Sequence, residues 1–298
     1  MKRMLFLINP NAGHSGIRAG LLGVLERFCG AGYAVEVYTT AGPQEVTEHI
    51  AASEGKYDTV VVSGGDGTLN EAIAGLLRLR ERPVLGYLPA GTANDVAATL
   101  GLPMEPEAAA EIILHGRETA LDVGLFNGRP YTYVAAFGAF TEVSYATPQN
   151  EKRAFGRLAY LLEGARSLGG IRPIRVKVTA DGVSEEGDFL FGAMCSTRSM
   201  GGFRAREIRN LTVSLNDGLS EVVFVRDLKN IKEFGELVAE ATRFDFTDPR
   251  HFLTFQADHL LVEFEEDVAW TVDGEDGGSC RCAELRTLPR AIRVMIPA

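Results

Sequence analysis

Three glycines surround one carboxylate at Gly64-Gly65-Asp66-Gly67, directly after the β-branched run Thr59-Val60-Val61-Val62-Ser63 and directly before Thr68-Leu69-Asn70-Glu71. Glycines in such a turn take backbone angles closed to other residues and let the main chain approach a ligand closely. A helix starting near Thr68 would aim its free N–H groups at the same point, so a polyanion such as a nucleotide triphosphate can be held there without a lysine. A carboxylate beside a triphosphate is repelled unless a cation lies between them, and Asp66 therefore argues for magnesium. The competing reading is a tight strand-to-helix turn capped by Thr68.

Two more turns of the same texture follow other apolar runs. Tyr87-Leu88 leads into Pro89-Ala90-Gly91-Thr92-Ala93-Asn94-Asp95, and Ile8 leads into Asn9-Pro10-Asn11-Ala12-Gly13. Taken alone, the second of these is an Asn-Pro turn. Polar glycine turns at the carboxyl ends of successive parallel strands mark the edge where doubly wound sheets bind nucleotides. The candidate binding residues are thus Asn9, Pro10, Asn11, Ala12, Gly13, Gly64, Gly65, Asp66, Gly67, Thr68, Asn70, Glu71, Gly91, Thr92, Asn94 and Asp95.

The elements that must position these turns alternate in type. Met4 to Ile8, Ala34 to Tyr38, Thr59 to Val62 and Val84 to Leu88 read as buried strands, and Gly16 to Phe28, Pro43 to Ala52, Leu69 to Leu79 and Glu107 to Leu114 as helices. This βαβ pattern predicts an α/β doubly wound domain with a mostly parallel sheet over residues 1–127. Beyond it come strands separated by Gly-rich or Asp-Gly turns: Tyr131 to Ala136, Ile174 to Ala180, Phe189 to Cys195, Glu221 to Val225, Leu260 to Phe264, Ala269 to Val272 and Ala291 to Ile296. With helical stretches at Arg153 to Leu168 and Ile231 to Thr242, residues 128–298 read as an antiparallel β-sandwich domain, whose last strand is free to cross back to the first.

A chain of 298 residues, 46% hydrophobic and 23% charged, has material for about two domains with sizeable cores. A net charge of −10 argues against nucleic acid as the main partner. Cys29, Cys195, Cys280 and Cys282 make no C-x-x-C pair, and the five histidines make no H-x-x-x-H or HExxH set, which points to reduced thiols and no structural zinc. The apolar run Met4 to Ile8 is too short for a signal peptide, and no run approaches a membrane span of roughly 18 residues, so the expected location is cytoplasmic. There is no G-x-x-x-x-G-K-[ST], H-R-D, G-x-S-x-G or intact G-x-G-x-x-G after the first strand, which removes support for P-loop enzymes, protein kinases, serine hydrolases and ordinary Rossmann dehydrogenases.

Together, GGDGTxNE at 64–71, PxGTxND at 89–95 and NPxAG at 9–13 resemble the diacylglycerol kinase catalytic-domain family, whose bacterial lipid kinases share the two-domain plan and length. GGDGT alone is shared with NAD kinases and loosely with phosphofructokinases; PxGTxND is the more specific partner. The resemblance implies a magnesium-dependent kinase that moves the γ-phosphate of ATP to the hydroxyl of diacylglycerol or a related lipid, with Thr40 added to the nucleotide site. It carries the family's D-G-x-L-D-V segment onto Asp217-Gly218-Leu219-Ser220-Glu221-Val222, where Asp217 would hold magnesium by its carboxylate and Ser214 and Leu219 by their carbonyls. Ser220 and Glu221 depart from the usual leucine and aspartate. It likewise makes Glu275, in Asp273-Gly274-Glu275, the general base. Related sphingosine kinases give a base role to the aspartate of GGDG, so Asp66 is either a base or an electrostatic group that helps hold the metal. Both Asp-Gly pairs are equally readable as solvated hairpin turns.

From Lys152 to Lys177 there are seven basic residues against the single acid Glu163. The plain reading is a solvated face; the alternative is docking on an anionic bilayer, where each base can add about 1 kcal/mol. A membrane lipid substrate suits peripheral contact, and the family resemblance also makes a homodimer plausible. The rival readings are an NAD kinase-like enzyme and a nucleotide- or lipid-binding regulator without catalysis.

Overall fold

The computed structural model describes residues 1–13, 16–138, 172–195, 199–200, 203–204, 214–243 and 245–298. The helical stretch expected at Arg153 to Leu168 and the residues Asn210, Leu211 and Thr212 lie outside them. The chain divides into two compact units, 1–123 with 289–298, and 124–288.

In the first unit β1 (Lys2–Ile8), α1 (Gly16–Gly30), β2 (Tyr33–Thr39), α2 (Glu45–Ala51), β3 (Thr59–Gly64), α3 (Asp66–Leu77), β4 (Val84–Pro89), α4 (Asp95–Leu100) and α5 (Pro106–His115) alternate. β1 pairs in parallel with β2 and β3, and β3 in parallel with β4. Met4, Phe6 and Ile8 of β1 share a core with Val61, Leu88, α1 and α5. Leu5 and Leu7, which point to the opposite side, are buried as well, so both faces of β1 are covered. Its helices are set by local chemistry: α5 opens with Pro106 at its first position while the Glu105 side chain accepts the N–H groups of Glu107 and Ala108.

Register fixes what the sheet can do. Ile8 stands beside Thr39 and Ser63, and Ser63 and Gly64 stand beside Leu88 and Pro89. The carboxyl ends of four strands therefore finish in one row.

The second unit is built from strands. β5 (Arg117–Phe126) enters it, followed by β6 (Arg129–Tyr131), β7 (Val134–Gly138), β8 (Ile174–Ala180), β9 (Val183–Cys195), the short ribbon β10 (Ser199–Met200) and β11 (Phe203–Arg204), β12 (Ser220–Arg226), α6 (Ile231–Thr242), β13 (Phe252–Ala257), β14 (His259–Val272) and β15 (Glu275–Ile296). β9 pairs antiparallel with β8 through its first half and with β7 through its second. β14 does the same, meeting β8 at 260–264 and β7 at 270–272. Those four strands close a ring around Trp270, Phe137, Phe264, Phe224 and Phe189. Phe137 sits at its centre, with ring centroids 4.9 Å from Phe264, 5.0 Å from Trp270 and 5.6 Å from Phe224.

Several sequence expectations shift. The runs at Leu260 to Phe264 and Ala269 to Val272 are one strand, β14, broken in register between Glu263 and Val268. A domain limit at 127/128 with the tail in the second domain does not match the packing, because residues 289–298 group with the first unit. There Val294 pairs in parallel with Leu85, Ile292, Val294 and Ile296 are buried, and Arg82 donates to the Ala291 carbonyl at 2.6 Å. Three buried aliphatic side chains are worth about 5 kcal/mol at roughly 1.5–3 kcal/mol each, a large share of the roughly 5–15 kcal/mol by which domains are stable. Truncation after Leu288 should therefore lower the urea midpoint of the first unit sharply and strip hydrogen-exchange protection from β4; unchanged β4 protection would show that the tail is not its neighbour.

Candidate active site

The three glycine turns meet above the row of strand ends in the first unit. Gly13 has φ +55°, and a β-carbon there would stand 2.2 Å from the Ala90 carbonyl oxygen. At Gly91 a β-carbon would stand 2.4 Å from the α-carbon of Gly65. Only glycine permits these approaches, so the first turn lies on the third and the third on the second. Side chains lock the contact: Asn9 donates to the Thr68 hydroxyl at 3.1 Å, and the Asn11 N–H donates to the Asn9 Oδ1 at 3.0 Å. The Ala90 N–H donates to the Gly64 carbonyl at 2.7 Å.

Asp66 is the first residue of α3, with Gly65 before it in an extended conformation. The helix thus starts three residues before the expected Leu69, and Thr68 is no cap; it is buried inside the first turn, where its hydroxyl accepts from Asn9. The Asp66 carboxylate accepts the N–H of Asp95 at 3.1 Å and that of Val96 at 3.3 Å, the first amides of α4. A carboxylate on these amides is favoured by their dipoles as well as by the bonds. Asn94, 1% exposed and held at φ 51°, accepts the Gly91 N–H at 2.9 Å and donates to the Gly91 carbonyl at 2.7 Å.

The remaining candidates of this unit divide. Asn11, Gly13, Gly67 and Thr92 are exposed, Pro10, Ala12, Asn70 and Gly91 half-buried, and Asp95 is buried. Thr40 is 7% exposed, and its hydroxyl is spent on the Ile8 carbonyl at 3.4 Å. Glu71 faces away from the turns: its carboxylate accepts the Gln44 N–H at 2.9 Å and its carbonyl the Thr47 hydroxyl at 2.8 Å, bracing α2.

In the second unit Asp273 (φ 50°) and Gly274 (φ 79°) form the two-residue hairpin between β14 and β15. The Asp273 carboxylate accepts four hydrogen bonds, from the N–H and hydroxyl of Thr132 and the N–H groups of Tyr133 and Val134. Glu275 follows this fixed turn. Its side chain is 63% exposed and pairs with Arg129 at 3.1 Å.

At 214–219 the Leu219 N–H donates to the Asp217 carboxylate at 3.1 Å, and Ser214 and Asn216 bond side chain to side chain at 3.2 Å. The donors attributed to this segment, two carbonyls and a carboxylate, are all oxygen, which fits a hard cation such as magnesium. Ser220 and Glu221, the departures from the family pattern, open β12 and are buried. The Ser220 hydroxyl lies 2.7 Å from that of Thr287, and Glu221 accepts from Gln256 at 3.3 Å. Burial, and then the Glu221 carboxylate, push the Cys195 thiol far up, which keeps it protonated.

Of the basic segment, Arg175 and Lys177 lie on β8 and are ion-paired, with Glu186 and Glu263 at 2.8 and 2.9 Å. Lys152, Arg153, Arg157 and Arg166 lie outside the described residues. Among the described residues no helix is long and apolar enough to cross a membrane.

Comparison with known proteins accounts for both units. A model of the diacylglycerol kinase catalytic domain matches residues 3–126, and a model of the YegS C-terminal NAD kinase beta sandwich-like domain matches residues 134–296. A diacylglycerol kinase of Bacillus subtilis (strain 168) is 33% identical over 100% of this chain and 97% of its own length. The chain belongs to the diacylglycerol kinase family. Another diacylglycerol kinase, from Staphylococcus aureus (strain bovine RF122 / ET3-1), is 32% identical over 99% of this chain and 93% of its own. A crystal structure from Bacillus anthracis str. Sterne, provisionally named a diacylglycerol kinase, superposes with a TM-score of 0.83 at 25% identity, covering 99% of this chain and 97% of that one.

Two residues that contact candidate residues, one in each unit, were not singled out from sequence. Tyr87 is buried, donates to the Gly64 carbonyl at 3.2 Å and lies 3.3 Å from the Asn94 Oδ1; burial, and then the Asp66 charge, push its hydroxyl far above the usual range, so it remains a donor. Arg129 had a local signal, the Asn127-Gly128 hairpin that delivers it. Asn94→Ala would leave the Gly91 N–H and carbonyl without their side-chain partner and put alanine at positive φ. The expected cost is about 2–4 kcal/mol, read from the urea midpoint; a loss under about 1 kcal/mol would show that Asn94 is not the clasp of this turn.

Proposed function

We propose that the chain is an ATP-dependent lipid kinase that transfers the γ-phosphoryl group to a hydroxyl of diacylglycerol or a related lipid alcohol. The observation that carries this reading is the convergence of the three glycine turns on one row of strand ends, in a chain matching diacylglycerol kinases over its full length. The first unit is read as doubly wound, with Asn9 to Gly13, Gly64 to Thr68 and Gly91 to Asp95 around the nucleotide phosphates. Thr40 and Glu71 belong to the same frame, and their contacts to Ile8 and Gln44 tie it together.

In the reaction the lipid hydroxyl oxygen bonds to the γ-phosphorus, the bond to the β,γ-bridging oxygen breaks, ADP departs, and the hydroxyl proton goes to a carboxylate. Glu275 is the assigned acceptor; the rigid hairpin before it aims the side chain, and its exposed pair with Arg129 must open first. Proton transfer late in a loose transition state suits a carboxylate. Asp66 acts electrostatically in this reading, with the base role as its alternative. Magnesium would be held by Asp217 with the carbonyls of Ser214 and Leu219, and when bound it neutralises charge on the phosphoryl oxygens. The lipid substrate makes peripheral contact with the inner membrane face part of the reading, with a cytoplasmic location; a homodimer is a further part of it.

The NAD kinase-like description of the C-terminal family model keeps one rival in view. Labelled ATP offered with NAD and a total lipid extract should yield phosphorylated lipid only; exclusive turnover of NAD would overturn the assignment. Glu275→Gln and Asp66→Asn should each lower kcat at least ~100-fold, with ATP binding and fold retained in Glu275→Gln. Near-normal kcat in Glu275→Gln would remove it as the base.

A further inference from the structure

α6 carries Glu236 and Glu240 four residues apart, hence on one face. The chain comes back to that helix through a tight turn in which the N–H groups of His251 and Phe252 donate to the Asp248 carbonyl at 3.1 and 2.9 Å. One ligand atom from each of Glu240, Asp248 and His251 lies within 4.8 Å of the others. His251 is 1% exposed. Its Nδ1 lies 2.7 Å from a Glu240 oxygen, while its buried Nε2 has no hydrogen-bond partner among the described residues. The nearest acid to Nε2 is Glu236, at 3.9 Å.

That distance is too long for a hydrogen bond. It is short enough for one cation to reach both atoms with bonds of about 2.1 Å. A carboxylate only accepts, so in the neutral ring Nδ1 carries the proton toward Glu240 and Nε2 keeps its lone pair. An imidazole oriented through its other nitrogen by a carboxylate is the usual state of a metal-ligating histidine. Three carboxylates face two cations here, Arg250, 2.6 Å from Asp248 and 3.3 Å from Glu236, and the exposed Lys232, 3.7 Å from Glu236. The Asp248 carboxylate accepts from the Arg250 side chain through both oxygens, at 3.1 and 2.6 Å. Phe246 and Phe252, edge to face at 5.1 Å, adjoin the turn.

We propose that Asp248 and His251, with Glu236 and Glu240 of α6, form a site for one first-row divalent cation of the zinc or manganese class, distinct from the oxygen-only set at Ser214, Asp217 and Leu219. A nitrogen donor among carboxylates selects these metals over magnesium and calcium. Bound there, the ion clamps α6 to the turn before β13.

The test uses the full chain, stripped with a chelator and free of nucleotide, dialysed to equilibrium against Zn²⁺ and, separately, Mn²⁺, with bound metal counted by elemental analysis. Manganese avoids the exposed thiols of Cys29 and Cys282, which favour zinc. His251→Gln should bind one equivalent fewer at saturating wild-type concentrations, or bind it at least ~10-fold more weakly, whereas Asp217→Asn should keep this equivalent. In the wild-type chain, substoichiometric Mn²⁺ should broaden the NMR ring signals of His251 before those of the other four histidines. Unchanged stoichiometry and affinity in His251→Gln, or His251 signals that stay as sharp as the rest, would overturn the site.

Discussion

Two backbone amides at the start of α4 donate to the carboxylate of Asp66, and the architecture of the edge where the glycine turns meet depends on that junction. α3 and α4 follow different strands, and each begins where its strand ends. Joining the first residue of one to the first turn of the other fixes the spacing of the second and third glycine turns. A hydrogen bond to a charged group is worth about 1.5–3 kcal/mol, so two of them offset part of the roughly 1–2 kcal/mol per residue that ordering the turns costs. The same bonds leave Asp66 with a structural duty besides any chemical one. A variant at this position must therefore be read for turn geometry as well as for turnover.

The other unit solves a different problem. In it β9 and β14 each pair with both β7 and β8, besides β12 and β15 respectively, which closes a ring on an aromatic centre. Aromatic contacts of this kind add about 0.5–1.5 kcal/mol each beyond area burial. Ser220 and Glu221 sit where β12 joins this framework, and both have side-chain contacts inside it. The two residues that differ from the family pattern thus have polar partners of their own, Thr287 and Gln256.

How much of this was legible depended on whether the deciding contact was local. The strands β1 to β4 and the helices α1, α5 and α6 follow from periodicity, and the Asp273-Gly274 turn from its own two residues. The start of α4 followed from the turn that ends at Asp95, but not its extent, because six residues hold too little periodicity and its amino end is satisfied by Asp66, far away in sequence. The early start of α3 was missed for the same reason, since no side chain of its own caps it. β13 and the long course of β15 are defined by partners that only folding supplies, Ser220 to Val225 for one and Leu85 for the other. Glu71 matched the family motif and also braces α2, a contact that the motif itself did not show.

Glu275 shows how rigid and labile parts are combined. Four hydrogen bonds hold the Asp273 carboxylate, so the hairpin that carries Glu275 cannot swing freely. The side chain itself is exposed and meets Arg129 in water, and exposed ion pairs contribute from nothing to about 1 kcal/mol. Opening that pair therefore costs less than a factor of ten in rate, small beside the hundredfold or more that a positioned general base supplies. Arg129 in turn arrives on its own two-residue hairpin, Asn127-Gly128. Backbone geometry is set twice by tight turns, and the contacts between them, the exposed ion pair and the Arg129 bond to the Asp276 carbonyl, both come from one exposed arginine side chain, the order of strengths that the proposed proton acceptor needs.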